Sequence, residues 1–147
     1  MRYVTLLLLP FVLALSACGT SKKVSTPNDW KGSYLQWGSG GGFTGVTTTY
    51  TLLENGQIFS QTGVTDGPLK ELTALDKKTT KALFAKATAL SWPEADVSDP
   101  GNMSTTLMYH GKSKSIRLVW GGGKYTPSEE VKAFYQQLQS QVSTKKP

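Results

Sequence analysis

The segment Val46–Leu53 constrains the fold more than any other part of this sequence. Its eight residues, mostly β-branched or aromatic, alternate with a period of two, which predicts a β-strand. Asn55-Gly56 follows one residue later, and this pair is typical of a type I′ turn, in which both central residues have positive φ. Residues 57–62 are therefore predicted to return antiparallel to the first strand as a β-hairpin.

Further segments extend the predicted sheet to about five strands. Trp30 and residues 34–37 predict a short opening strand at an edge of the sheet, and residues 69–73 can add a strand after the first hairpin. Residues 105–109 and 116–120 alternate in the same way on either side of a tight turn. They predict a second hairpin.

Two helices are predicted between and after these strands. Residues 75–90 carry an apolar side and a lysine-rich side, with Asp76 as the N-cap. A terminal helix is predicted to start with Thr126 as N-cap, Pro127 at the first position and Glu129 closing a capping box. The predicted class is α+β, an antiparallel β-sheet of about five strands with two α-helices packed on one face, in the order β-β-β-α-β-β-α.

Few residues are suited to catalysis or metal binding. The chain has one cysteine, Cys18, and one histidine, His110, which lies at a predicted hairpin end without the spacing of a zinc site. Glu94, Asp96 and Asp99 cluster in one loop, where a solvated connection is favoured over acid–base chemistry or a weak calcium site. The sequence therefore predicts a domain that is not an enzyme and has no metal or cofactor.

Two glycine clusters and a formal net charge of +6 raise the question of nucleotides or nucleic acids. Residues 38–42 are predicted to lie between strands, and residues 121–124 lack the glycine spacing of a phosphate-binding loop. These glycines are better suited to bends and close backbone approach. The lysines are scattered along the chain, so no nucleic-acid partner is predicted.

The N-terminus carries a secretory signal pattern. Arg2 is followed by the apolar residues 6–15, and the segment ends in Leu15-Ser16-Ala17-Cys18. These four residues resemble the lipobox of bacterial lipoproteins. The resemblance implies cleavage between Ala17 and Cys18, a thioether-linked diacylglycerol on Cys18, and acylation of the new amino group. The alternative is an ordinary secretory signal peptide with an incidental cysteine near the cleavage site.

The chain is predicted to divide into three parts: a lipoprotein signal peptide (1–17), a lipidated flexible tether (18–29) and a small α+β domain (30–147). The tether has a single aliphatic residue and cannot bury enough apolar surface to offset the entropy of ordering. Gly19, after the cysteine, resembles neither the aspartate of inner-membrane retention nor the acidic run of surface export. We therefore expect membrane attachment through Cys18 at the outer membrane, facing the periplasm, or at the outer face of a single membrane.

A second resemblance begins at Gly41-Gly42-Phe43-Thr44-Gly45. This loop, followed by a Thr/Val-rich strand, a helix, a hairpin and a closing helix, resembles emfourin, a small protein inhibitor of thermolysin-like metalloproteases. The resemblance implies that the loop around Phe43 contributes to a protease-facing surface. The candidate partner-binding residues are Trp37, Gly41, Gly42, Phe43 and Gly45.

Two functions follow as hypotheses. The first is a lipid-anchored bacterial envelope lipoprotein whose small non-catalytic domain binds a protein or has a structural duty in the envelope. The alternative is a membrane-tethered, emfourin-like inhibitor of a thermolysin-like metalloprotease.

Overall fold

The computed structural model describes residues 25–65 and 67–143, so the predictions for the signal peptide, for Ala17 and Cys18, and for most of the tether lie outside the described residues. The described elements are strands β1 (Tyr34–Gly41), β2 (Val46–Leu53), β3 (Ile58–Gly63) and β4 (Leu69–Leu72), helix α1 (Lys77–Ala89), strands β5 (Val97–Ser98), β6 (Met103–His110) and β7 (Ser115–Trp120), and helix α2 (Glu129–Ser143). Neither helix has the length and hydropathy that a membrane span requires.

The seven strands form one sheet in the order β4-β3-β2-β1-β6-β7-β5. All neighbours pair antiparallel except the two-residue β5, which runs parallel to β7. The α+β class is thus confirmed, with seven strands where about five were predicted. Edge strand β4 is the strand that residues 69–73 were predicted to add, and edge strand β5 was not predicted.

Both helices cover the same face of the sheet. Alternation along β1 turns Leu35 and Trp37 to that face, where the cross-strand register aligns Trp37 with Leu107. These residues share one buried cluster with side chains from both helices and from the C-cap of α1: Leu83, Ala87, Val131, Phe134 and Leu138, with Leu90 as the cap. Burial of each large side chain stabilises the fold by about 1.5–3 kcal/mol.

The prediction of β1 as a short edge strand was wrong. β1 is the central strand and runs on through Gly38 and Gly40, which were assigned to a loop. A Cβ at Gly38 would overlap the carbonyl oxygen of Thr48, and one at Gly40 would overlap the backbone of Thr47. Glycine is needed here because β1 and β2 approach more closely than a side chain would allow.

The first hairpin is confirmed, but its turn is not type I′. Gly56 has φ +95°, and no described residue other than glycine has positive φ, so Asn55 does not adopt the predicted conformation. The Gly56 N–H donates to the Leu53 carbonyl, and Leu53 pairs with Gln57, which closes a three-residue loop. The Asn55 Oδ1 accepts from the Gln57 N–H at 3.0 Å, so the side chain stabilises the turn instead.

The helix starts were predicted with mixed success. Asp76 is the N-cap of α1, and its carboxylate accepts from the Thr79 N–H at 2.9 Å. The predicted Thr126 cap of α2 was wrong, because that helix begins at Glu129. Ser128 takes the capping position, with its Oγ 3.4 Å from the Val131 N–H, and Pro127 is buried just before the helix.

Candidate functional site

The end of the sheet where β1 finishes and β2 and β6 begin carries an exposed apolar surface, which we call the apolar rim. β3 ends and β4 begins at the same end of the sheet. The rim comprises the large hydrophobic side chains that the described part of the chain exposes: Phe43, Val46, Val64, Leu69 and Met103. The antiparallel register places Val46 and Met103 opposite Gly41 at this end of the sheet, and Leu69 opposite Gln61, further along and on the other face.

Phe43 stands at the tip of the turn between β1 and β2. Its exposed fraction is 107%, so no other residue covers the ring. Gly42 and Gly45, with φ +69° and +62°, allow the chain to reverse here, and the Gly45 N–H donates to the Gly42 carbonyl at 3.2 Å. The Gly42 N–H also donates to the Asn102 carbonyl at 2.6 Å, which ties the turn to the start of β6. The backbone beneath Phe43 is therefore held in place while its ring projects.

Two further rim residues flank this turn. A Cβ placed on Gly42 would lie 3.2 Å from the Met103 Sδ, and one placed on Gly45 would lie 3.7 Å from the Val64 Cγ1. Met103 and Val64 thus pack beside the turn that presents Phe43. The described residues of the surrounding turns, 42–47, 62–65 and 100–103, carry no charge. Phe43, Met103 and Val64 therefore form an apolar group beside these uncharged described residues.

A small polar pocket adjoins the rim on the sheet face that the helices leave open. Its volume is about 220 Å³, and Thr47, Thr49, Gln61 and Val64 are among its lining residues. The Gln61 Nε2 donates to the Gly67 carbonyl at 2.8 Å, so this amide holds the loop after β3 against the sheet. Threonine hydroxyls beside an apolar patch supply the hydrogen-bonding border that protein interfaces use.

Four of the five predicted partner-binding residues meet at this rim. Gly41, Gly42 and Gly45 shape the turn, and Phe43 forms its tip. Trp37 does not belong there, because it faces the helices from the centre of β1 and is fully buried. Its ring stacks on Tyr50 with centroids 5.6 Å apart, and its Nε1 has no hydrogen-bond partner among the described residues.

The acidic loop has a structural role. The Asp96 Oδ1 accepts from the Arg117 N–H at 2.8 Å, and the Asp99 Oδ2 accepts from the backbone N–H groups of Lys124 and Tyr125, also at 2.8 Å. Burial raises the pKa of the half-buried Tyr125. Asp96 and Asp99 thus pair with backbone amides of β7 and of the segment before α2. Within the described ranges, no group of three or more His, Cys, Asp or Glu residues could hold a metal ion.

His110 also packs within the fold. Its ring stacks on Tyr34 with centroids 4.8 Å apart, and its Nδ1 lies 3.4 Å from the Ser115 Oγ. This arrangement places the imidazole at the opposite end of the sheet from the rim.

No protein-family model and no curated protein sequence matches this chain. The resemblances to the lipobox and to emfourin rest on their motifs and stay predictions.

Proposed function

We propose that this chain is a lipid-anchored envelope lipoprotein whose non-catalytic domain binds a protein partner through the apolar rim. The observation that carries the proposal is the fully exposed Phe43 on a turn that Met103 and Val64 flank, with no charged residue at described positions 42–47, 62–65 and 100–103. Contiguous apolar patches with a large aromatic anchor are typical of protein interfaces, where burying that anchor supplies much of the binding energy.

The position of the tether suits this role. The chain enters β1 at Tyr34, and the rim lies where β1 ends, so the strand separates the two by about 26 Å. A tether leading from Cys18 would therefore join the domain at the end opposite the rim. The rim would then face away from the anchoring membrane, which we propose is the outer membrane with the domain in the periplasm.

Lipid attachment is tested by Cys18→Ala in the full chain expressed in its bacterial host. We expect loss of metabolic acyl labelling and release of the protein from the membrane fraction. Ser21→Ala, three residues further on in the tether, is the matched control and should stay acylated. A Cys18→Ala protein that remained acylated and membrane-bound would refute the anchor.

The rim is tested by placing a photo-crosslinking residue at position 43 and, as a control, at Lys112 in the turn at the other end of the sheet. We expect one defined adduct from position 43 in envelopes and none of that size from position 112. Adding Val64→Asp should abolish the adduct, because a charge in the apolar rim costs desolvation energy on binding. An adduct that Val64→Asp leaves unchanged would contradict binding through the rim.

Full exposure of Phe43 on a constrained turn also supports the second candidate, a membrane-tethered, emfourin-like inhibitor. A projecting ring on a fixed backbone can enter a protease cleft without paying for loop ordering. Under this proposal the protein inhibits a thermolysin-like metalloprotease, and Phe43→Ala weakens inhibition about 30-fold or more. Lys112→Ala is the control and should inhibit as the unmodified protein does. Full proteolytic activity at micromolar unmodified protein would exclude this candidate.

A further inference from the structure

We infer that the end of the domain opposite the rim docks onto an anionic membrane surface through a set of lysines, which we call the lysine face. The inference rests on the proposed lipid anchor for the nearness of the membrane. It adds a second contact, made by the folded domain itself. The lysine face consists of Lys31, Lys77, Lys81, Lys112 and Lys114, all of which are exposed.

Helix α1 brings two of these lysines to the point where the chain enters the sheet. Lys77 and Lys81 line an open cleft of about 820 Å³ together with Ser33, the residue directly before β1. Asp76 caps the helix here, and the Leu75 N–H, one residue earlier, donates to the Gly56 carbonyl in the β2–β3 turn at 2.9 Å. The first turns of α1 are thus fixed beside the entering chain.

The turn between β6 and β7 contributes two more lysines to the lysine face. β6 pairs antiparallel with β1, so His110 at the end of β6 lies opposite Tyr34 at the start of β1, and their rings stack. Lys112 and Lys114 follow in the turn, at the same end of the sheet. Lys31 belongs to the entering segment. Three separate segments therefore place positive charge around the point from which the tether leads to Cys18.

Positive charges outnumber negative charges at this end of the domain. Its acidic groups are Asp29, Glu54, Glu71 and Asp76, four against six lysines when Lys78 in the first turn of α1 is included. Each carboxylate accepts a hydrogen bond: from the Thr26 hydroxyl, the Ser33 N–H, the Gln57 side-chain amide and the Thr79 N–H respectively. None of the five lysines joins an ion pair with a described residue. The rest of the described chain carries equal numbers of the two signs: Lys70, Lys86, Arg117, Lys124 and Lys132 against Glu94, Asp96, Asp99, Glu129 and Glu130.

An anionic bilayer is the partner that this placement fits. Tyr34 is sixteen residues from Cys18, so even a fully extended chain keeps β1 within about 55 Å of the lipid. Tethering at this length makes docking an intramolecular event at high effective concentration. Lys22 and Lys23 in the tether add charge of the same sign. Each lysine near an anionic surface raises partition about fivefold.

The test uses the mature-length chain, residues 18–147, with Cys18→Ser, so that binding reports the protein surface without an acyl group. Partition onto vesicles of phosphatidylcholine with phosphatidylglycerol is measured at about 0.1 M salt, where charges within about 10 Å still interact. The variant K77Q/K81Q/K114Q removes three charges from the lysine face. K70Q/K124Q/K132Q removes three charges elsewhere, so the two variants have the same net charge. We expect about a 100-fold loss of partition for the first and less than about threefold for the second.

Equal losses from the two triple variants would show attraction by net charge alone and would overturn the inference, as would absence of vesicle binding by the Cys18→Ser chain. Hydrogen exchange on the vesicles gives the orientation. We expect protection of the turn at residues 111–114 and none at residues 42–45. Protection at 42–45 instead would mean that the rim enters the bilayer, which also overturns the inference. Because this chain has no acyl group, these outcomes are independent of the Cys18→Ala result.

Discussion

The two ends of the sheet are built from the same strands, but apolar side chains are exposed at one end and buried at the other. Strand β2 begins at the rim with Val46, which is 39% exposed, and ends at the lysine face with Leu53, which is fully buried. At the rim, glycines shape the turn and leave the apolar residues uncovered. At the lysine face, capping side chains close the turns and charges meet the solvent. Exposed apolar groups add little to folding, which is why we propose the rim as a binding surface.

The largest expected effect is a difference in stability between substitutions at the two ends of β2. Leu53→Ala should destabilise the domain by about 2–5 kcal/mol, because it leaves a cavity at a fully buried position. Val46→Ala should change the free energy of unfolding by less than about 0.5 kcal/mol, since it lies at the exposed rim. Urea unfolding of both variants measures the difference, and similar losses would show that the rim contributes to the core.

The next largest effect on stability compares two glycines, one where a side chain would overlap a neighbour and one where only the positive φ is unfavourable. Gly41 has φ +112°, and a Cβ there would overlap the Asn102 carbonyl, whereas Gly123 has φ +89° with open space around it. Gly41→Ala should cost about 3 kcal/mol, and Gly123→Ala about 1 kcal/mol from backbone strain alone. Thermal unfolding provides the comparison. Equal costs would mean that the β1–β2 turn is free to move away from β6, which would weaken the case for a constrained Phe43.

The smallest effect lies at the lysine face. Hydrogen bonds from the Thr79 hydroxyl and N–H hold the pKa of the Asp76 carboxyl below its ordinary value of 3.8. The folded pKa is thus lower than the unfolded one, so this stabilisation is present above pH 3.8 and is lost as the pH falls through the folded pKa. Asp76→Ala should lower the melting temperature slightly near neutral pH. The gap to the unmodified protein should close in acid, and a gap that widened there would contradict the cap.

Local sequence signals predicted the elements whose stability is local. The alternation of β2, the Asp76 cap and the two hairpins depend on neighbours in sequence. The two-residue strand Val97–Ser98 was missed because only its pairing with Leu118 and Val119 defines it. The central place of β1 was missed because glycines at 38 and 40 normally signal loops, and only the close approach of β2 explains them.

The residues of the candidate site also divide into those that the sequence predicted and those that it missed. Gly41, Gly42, Phe43 and Gly45 lie within five consecutive residues and were identified by their motif. Val64 and Met103 were missed because each is a single apolar residue beside a turn, and only the register of the sheet sets them next to Phe43. Trp37 was predicted for the partner surface from its nearness in sequence. Alternation along β1 turns it to the helices instead.

The hydrogen bonds of the acidic loop also affect whether neighbouring copies of the domain can pair through their sheets. The Asp96 carboxylate accepts a hydrogen bond from the Arg117 N–H, and the Asp99 N–H donates one to the Val119 carbonyl. These are groups along the outer side of β7 that another polypeptide strand could otherwise use for pairing. Copies confined to the plane of a membrane meet at far higher frequency than molecules in free solution. Under the proposed lipid anchor, blocking this edge would let a dense layer of domains remain separate, so that each copy keeps its rim for the proposed partner.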